Sequence, residues 1–131
     1  MYDLIMTVYL AKFELNNKSA YKFGHTKYYY AHKRFESHEY NKFDKISILD
    51  QIRISDPSAT IARDKAKLIE ACLLAIFPKN FFLEEYYNTP VSFFNDLSGI
   101  TEMFVLSELT EFQLTNIFSE VKDRIHKTFN L

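Results

Sequence analysis

Residues 43–54, F-D-K-I-S-I-L-D-Q-I-R-I, place isoleucine at 46, 48, 52 and 54, all of one parity. A two-residue period with polar partners between predicts a strand with one covered face. Upstream, residues 4–15 (L-I-M-T-V-Y-L-A-K-F-E-L) are rich in β-branched and aromatic side chains and alternate in part, as a strand does. Asn16-Asn17-Lys18-Ser19 is a turn cluster, so residues 20–24 return as the second strand of a hairpin. Strand periodicity therefore dominates the first half of the chain.

The second half reads as mostly helical. Asp56-Pro57-Ser58 ends the third strand, and Ser58 caps a helix predicted from Ala59 to Phe77, stopped by Pro78. Beyond Asn80, F-F-L-E-E-Y-Y is expected to be extended, and Asn88-Thr89-Pro90 opens a short helix through Asp96. Met103 to Leu106 form one more short strand. A last helix begins at Thr110 with a capping box to Gln113. Leu114, Ile117, Phe118, Val121, Ile125 and Phe129 then form an apolar stripe, which packs on the sheet or serves as a dimer surface.

At 131 residues the chain is expected to be a single domain, 1–131, long enough to bury about two thirds of its unfolded surface. Aromatic residues make up 17%, with thirteen Phe, nine Tyr and no Trp, so rings should dominate the core. A formal net charge of -1 excludes a global field toward nucleic acid or acidic lipid, so any phosphate binding must come from a local cluster. The single cysteine, Cys72, excludes an internal disulfide and suits a reducing cytosol; its apolar helical run predicts a buried, inert thiol. No apolar stretch reaches membrane-spanning length, and Met1-Tyr2-Asp3 lacks the basic start of a signal peptide. A cytoplasmic protein with no membrane partner is expected.

The local cluster lies between Tyr21 and His38, Y-K-F-G-H-T-K-Y-Y-Y-A-H-K-R-F-E-S-H, which holds Lys22, Lys27, Lys33 and Arg34. Gly24 permits a sharp turn or a close backbone approach to a ligand. A short helix from about Tyr29 to His38 would align Tyr30, Arg34 and His38 on one face, suited to holding a phosphate or moving a proton. The alternative is a half-solvated amphipathic helix with ordinary polar residues. A second singular residue is Glu70, the lone charge in L-I-E-A-C-L-L-A-I-F. Its partner is Arg63 or Lys67 on a neighbouring turn, or it is a metal-ligating carboxylate at a pocket edge.

The order of a hairpin, a Gly-containing second strand, an Arg on the next helix and a lone Glu on a longer helix resembles the GIY-YIG nuclease superfamily, in particular its phage-type and restriction-enzyme-like branches. Thr7-Val8-Tyr9 stands at the first motif, keeping the tyrosine and losing the glycine. Lys22-Phe23-Gly24 stands at the second, with lysine in the tyrosine position, followed by Thr26. Arg34, ten residues after Gly24, is similar in place to the family arginine, and His38 to the histidine one turn later. Glu70 stands at the metal-binding glutamate, and Glu85-Tyr86-Tyr87 is similar to the segment that follows it. Asn80 and Asn88 are both candidates for the late asparagine.

The resemblance covers residues 4–90 and implies an α+β fold, a small, mostly antiparallel three-stranded sheet flanked by helices. Residues 91–131 would be a C-terminal helical extension packed on that 4–90 core. It implies a metal-dependent endonuclease that hydrolyses DNA phosphodiester bonds with Mg²⁺ or Mn²⁺, acting as a monomer or homodimer. Tyr9 would orient or deprotonate water, Lys22 assist it, Arg34 hold the scissile phosphate, and Glu70 bind the metal. His25 and His38 would move protons or contact phosphate, with Lys27 and Lys33 beside them on the substrate. The alternatives are a catalytically inactive relative that binds nucleic acid or a protein partner, and an unrelated α/β interaction domain.

Overall fold

The structure is a computed structural model and describes residues 4–76, 94, 103–106 and 110–129. Three strands, β1 (Leu4–Leu15), β2 (Lys18–Thr26) and β3 (Lys45–Asp56), form one antiparallel sheet in the order β2-β1-β3. Two long helices follow, α1 (Ala59–Ile76) and α2 (Glu111–Phe129). The fold is α+β, as expected. Asn16 and Asn17 alone make the hairpin loop, with φ of 53° and 63°, and Leu15 already pairs with Lys18. Two left-handed residues match the strand twist, and asparagine tolerates that conformation better than other side chains.

The β3 register corrects the parity reading. Leu10 pairs with Asp50 and Ala11 with Ile48, so Leu49 is an extra residue opposite none. A bulge of this kind shifts alternation by one. Ile46 and Ile48 accordingly pack on one sheet face with Phe13, Phe35 and Phe43, while Ile52 and Ile54 are buried on the other with Phe23, Ile69 and Phe118. The strand thus has two covered faces in succession, where the sequence predicted one. The Phe13 side is an aromatic cluster, with ring centroids 5.2 Å from Phe35 and 5.0 Å from Phe43.

Helix α1 starts as predicted. Ser58 Oγ accepts from the Ile61 amide at 3.4 Å, and Asp56 accepts from the Ser58 amide at 2.9 Å and from Lys65 at 3.1 Å. Ala62, Ala66, Ile69 and Leu73 face the sheet, which leaves Cys72 exposed and corrects its expected burial. The capping box of α2 is formed in both directions, Gln113 amide to Thr110 Oγ1 at 3.2 Å and Thr110 amide to Gln113 Oε1 at 2.9 Å. Leu114 and Phe118 are buried against the sheet, with Ile117, Val121 and Ile125 packed around them, so the stripe from Leu114 to Ile125 is core, and the Phe129 side chain lies outside the described ones.

The segment after β2 differs from expectation. Instead of one α-helix from Tyr29 to His38, two short 3-10 helices form, Ala31–Phe35 and His38–Tyr40. Tyr30 is extended (φ -98°, ψ 112°), and Ser37 breaks the run (φ -68°, ψ 153°), so Tyr30, Arg34 and His38 do not share a helical face. Met103–Leu106 contribute an antiparallel bridge, Phe104 to Tyr21, with both backbone bonds at 2.8 Å. The helix end at Pro78, the extended 81–87 segment and the 88–96 helix, Phe94 aside, fall outside the described residues. No helix among the described residues is long and apolar enough to cross a membrane.

A polar clasp ties the start of α2 to the hairpin. Lys12 Nζ lies 2.8 Å from Glu111 Oε1, and the Tyr21 hydroxyl donates to the same oxygen at 3.0 Å. The Lys12 bond, helped by Tyr21, holds the Glu111 carboxyl below its ordinary range; the same bond raises Lys12, and burial raises Tyr21. A depressed carboxyl contributes stability that is present above its unfolded value, about 4.3, and lost as pH falls through the folded one. Glu111→Gln should therefore melt slightly lower than the parent at pH 7, by under about 1 kcal/mol for so exposed a pair. That gap should begin to narrow as pH falls below the ordinary carboxylate value, about 4.3, and close once the folded carboxyl is itself protonated. Equal gaps at pH 3 and pH 7 in thermal melts would exclude this role.

Candidate functional site

Strand alternation sorts the predicted site residues onto two faces. Tyr9 pairs with Gly24 and Val8 with His25, so Lys22, Gly24 and Thr26 share the Tyr9 face while His25 points to the face covered by α1. There His25 Nδ1 lies 2.5 Å from Glu70 Oε2, with the two side chains 28% and 17% exposed. The partner of Glu70 is thus His25, not Arg63 or Lys67, both of which are exposed on α1. A half-buried carboxylate bound to an imidazole fixes the ring's orientation and its tautomer.

The chain leaves β2 at Thr26, crosses through Lys27 to Tyr30 and enters the first 3-10 helix. This path folds around an open cleft of about 600 Å³, lined by His25, Thr26, Lys27, Lys33, Arg34 and Glu36 among others. Four of the predicted residues, His25, Lys27, Lys33 and Arg34, therefore meet at one place, and Glu70 stands behind His25. The Arg34 guanidinium lies over the Tyr40 ring, 5.4 Å from its centroid, which restricts its swing. Glu36 and the Tyr28 ring at the cleft were not singled out in the sequence. Glu36 had no visible signal, whereas Tyr28 belongs to a three-tyrosine run that could have drawn notice.

Tyr9, Lys22 and His38 do not line this cleft. Tyr9 is 1% exposed, and its ring meets Phe35 edge-on at 5.3 Å. Lys22 is half-buried in mid-β2, and His38 is exposed, with its Nδ1 accepting from the Asn41 side-chain Nδ2 at 3.3 Å. Gly24 neither turns the chain nor borders open space. It lies within β2, where a Cβ would sit 2.5 Å from Tyr9 Cζ, so glycine here makes room for the tyrosine ring. Through Phe35, that ring supports the 3-10 helix carrying Lys33 and Arg34.

The donor set suits a lightly held hard cation. Among the described residues no group of three or more His, Cys, Asp or Glu is placed to hold a metal. Mg²⁺ needs no such cage, since it keeps several waters and takes one or two carboxylates plus substrate phosphate oxygens. Glu70 is the carboxylate that such an ion could take.

Chemically, the cleft offers three permanent cations against one carboxylate, Glu36, with an imidazole oriented from behind by another. That arrangement can hold a phosphate and pass a proton to or from it. No protein-family model, curated protein or solved structure matches this chain.

Proposed function

We propose that this protein is a metal-dependent endonuclease hydrolysing DNA phosphodiester bonds at the cleft beside β2. The observation that carries the reading is the convergence of His25, Lys27, Lys33 and Arg34 on one cleft, with Glu70 bound to His25. The resemblance of its motifs to those of GIY-YIG nucleases points the same way. Arg34 grips the scissile phosphate as a fork, and Lys27 and Lys33 neutralise its neighbours. His25, oriented by Glu70, takes up or delivers the proton at the reacting oxygen. Glu70 is the residue that would hold Mg²⁺ or Mn²⁺, which supplies Lewis-acid stabilisation of the leaving oxygen when bound. Tyr9 acts as a positioning residue through Phe35.

One observation favours a second reading, a domain that binds nucleic acid without cutting it: the Tyr9 ring is shut inside the sheet face at 1% exposure. Plasmid incubated with Mg²⁺ or Mn²⁺ separates the two. A single site should give nicked circles before any linear product, and binding should weaken with a log K against log salt slope of roughly -3 to -4, for three or four phosphates. Plasmid that is bound yet stays intact would select the binding reading. DNA neither bound nor cut, whether as plasmid or as single strand, would sink both.

A further inference from the structure

Tyr28, Tyr29 and Tyr30 are consecutive and remain 39%, 47% and 54% exposed. Three large rings so exposed in succession, with Tyr29 and Tyr30 meeting edge-to-face at 4.9 Å, mark an interaction surface. Their backbone is held firmly. The Tyr29 carbonyl accepts from Arg53 Nε at 3.0 Å and from Thr7 Oγ1 at 3.4 Å, and the Ala31 amide donates to Gln51 Oε1 at 3.4 Å. The rings are also ordered against cations. The Arg53 guanidinium lies 3.7 Å from the Tyr29 centroid, and the Lys27 ammonium 5.7 Å from that of Tyr28.

The run also joins two clefts. Tyr28 lines the His25–Arg34 cleft, and Tyr30 lines a second one, also of about 600 Å³, whose wall includes His32, Arg53, Lys122 and His126. Together the two clefts present five Lys or Arg side chains against two carboxylates, Glu36 and Asp50, and Asp50 is itself 3.0 Å from Lys122. In a chain of net charge -1, the two linings thus carry a local excess of positive charge.

We infer that the Tyr28–Tyr30 ridge and its flanking clefts bind unpaired, single-stranded nucleic acid, the tyrosines stacking bases and the cations holding the phosphates on either side. Duplex DNA hides its base faces, so exposed rings are of no use to it, whereas an unpaired strand offers a π-face at every nucleotide. Arg53 behind Tyr29 makes the stack a base–ring–guanidinium sandwich. The inference rests on the reading that the His25–Arg34 cleft takes nucleic acid, and it names which form is taken: an unpaired strand led from the ridge into the cleft.

Fluorescence anisotropy with labelled 12-nucleotide single strands of DNA or RNA, and with the matching DNA duplex, tests it in EDTA, where cleavage plays no part. The single strand should bind about tenfold or more tighter than the duplex. Tyr29→Ala with Tyr30→Ala should lose about tenfold or more on the single strand and little on the duplex, while the two Tyr→Phe changes keep the affinity. Both positions are exposed, so unchanged circular dichroism melts should show that the variants fold. Equal binding of duplex and single strand, indifferent to the alanine changes, would overturn the ridge and leave the phosphodiester reading standing. Binding of neither oligonucleotide would overturn both. Tighter binding of polyglutamate than of any oligonucleotide would assign the surface to an acidic protein partner instead.

Discussion

Glu70→Gln is expected to lower metal-dependent cleavage about 100-fold or more while moving the melting temperature by no more than roughly 4 °C. The two effects separate because they draw on different properties of the carboxylate. Folding uses Glu70 as the acceptor for His25, and a glutamine oxygen can accept the same bond. What is lost is the charge-assisted part of it, on the order of 1 kcal/mol. What is gained is relief from desolvating a carboxylate that is only 17% exposed, an opposing term of similar size. Catalysis has no such substitute, since an amide neither holds a hard cation well nor stabilises an imidazolium. Stabilisation of the parent by MgCl₂ in thermal melts, absent in the variant, reports the metal role without relying on cleavage. A variant that cuts at the parent rate would remove Glu70 from the site, and the nuclease reading with it.

Gly24→Ala should destabilise the fold by about 1–2 kcal/mol, a fall of roughly 3–10 °C in melting temperature. Two effects compete. Alanine loses less chain entropy than glycine in a strand, a gain of about 0.5–1 kcal/mol. Against it, the new Cβ would sit 2.5 Å from Tyr9 Cζ, and Tyr9 cannot retreat because it is 1% exposed and set against Phe35. Overpacking of that kind costs about 1–3 kcal/mol, so the clash wins. The cost belongs to the pair, so Tyr9→Ala should cost less in the Gly24→Ala background than in the parent. An alanine variant that melts with the parent would mean that the ring and strand separate easily, contrary to the close fit described above. The displaced Phe35 would also shift the 3-10 helix that bears Arg34, so DNA affinity should fall together with stability.

Much of the fold was legible in the sequence because it is locally encoded. Asn16-Asn17 between apolar runs specifies a tight hairpin, Ser58 and Thr110–Gln113 carry their helix starts in their own side chains, and the α2 stripe is periodic. What was not legible depends on partners far along the chain. All four β3 isoleucines fall on even positions, so parity counting predicts one face; only the register against β1 exposes Leu49 as an extra residue. Cys72 sits in an apolar run, yet burial follows the angle around α1, and the sheet takes Ile69 and Leu73 instead. Ala31 and Phe35 keep the spacing of an α-helix, but the extended Tyr30 and Ser37 confine the turn to 3-10 pieces.

The candidate site divides in the same way. Its cations were visible as a cluster because they lie within a few residues of one another. The His25–Glu70 pair spans 45 positions and follows from His25 having the opposite parity to Gly24, a consequence of the pairing in β2. Tyr9 shows the limit of motif spacing: its place in the order suits a site residue, while its register buries it against Gly24. Arg53 drew no attention on β3, since its role depends on a tyrosine ring 24 residues away.

The extra residue in β3 has a further consequence. It works as a half-turn in the strand, delivering Ile46 and Ile48 to the aromatic side and Ile52 and Ile54 to the helical side. One strand is thus common property of both hydrophobic clusters, and its length is quantised. Exchanging one apolar residue for another in β3 alters packing locally, whereas losing or adding one residue near Leu49 would send one pair of isoleucines to the wrong side. In this strand the number of residues is therefore constrained more tightly than the choice among apolar side chains.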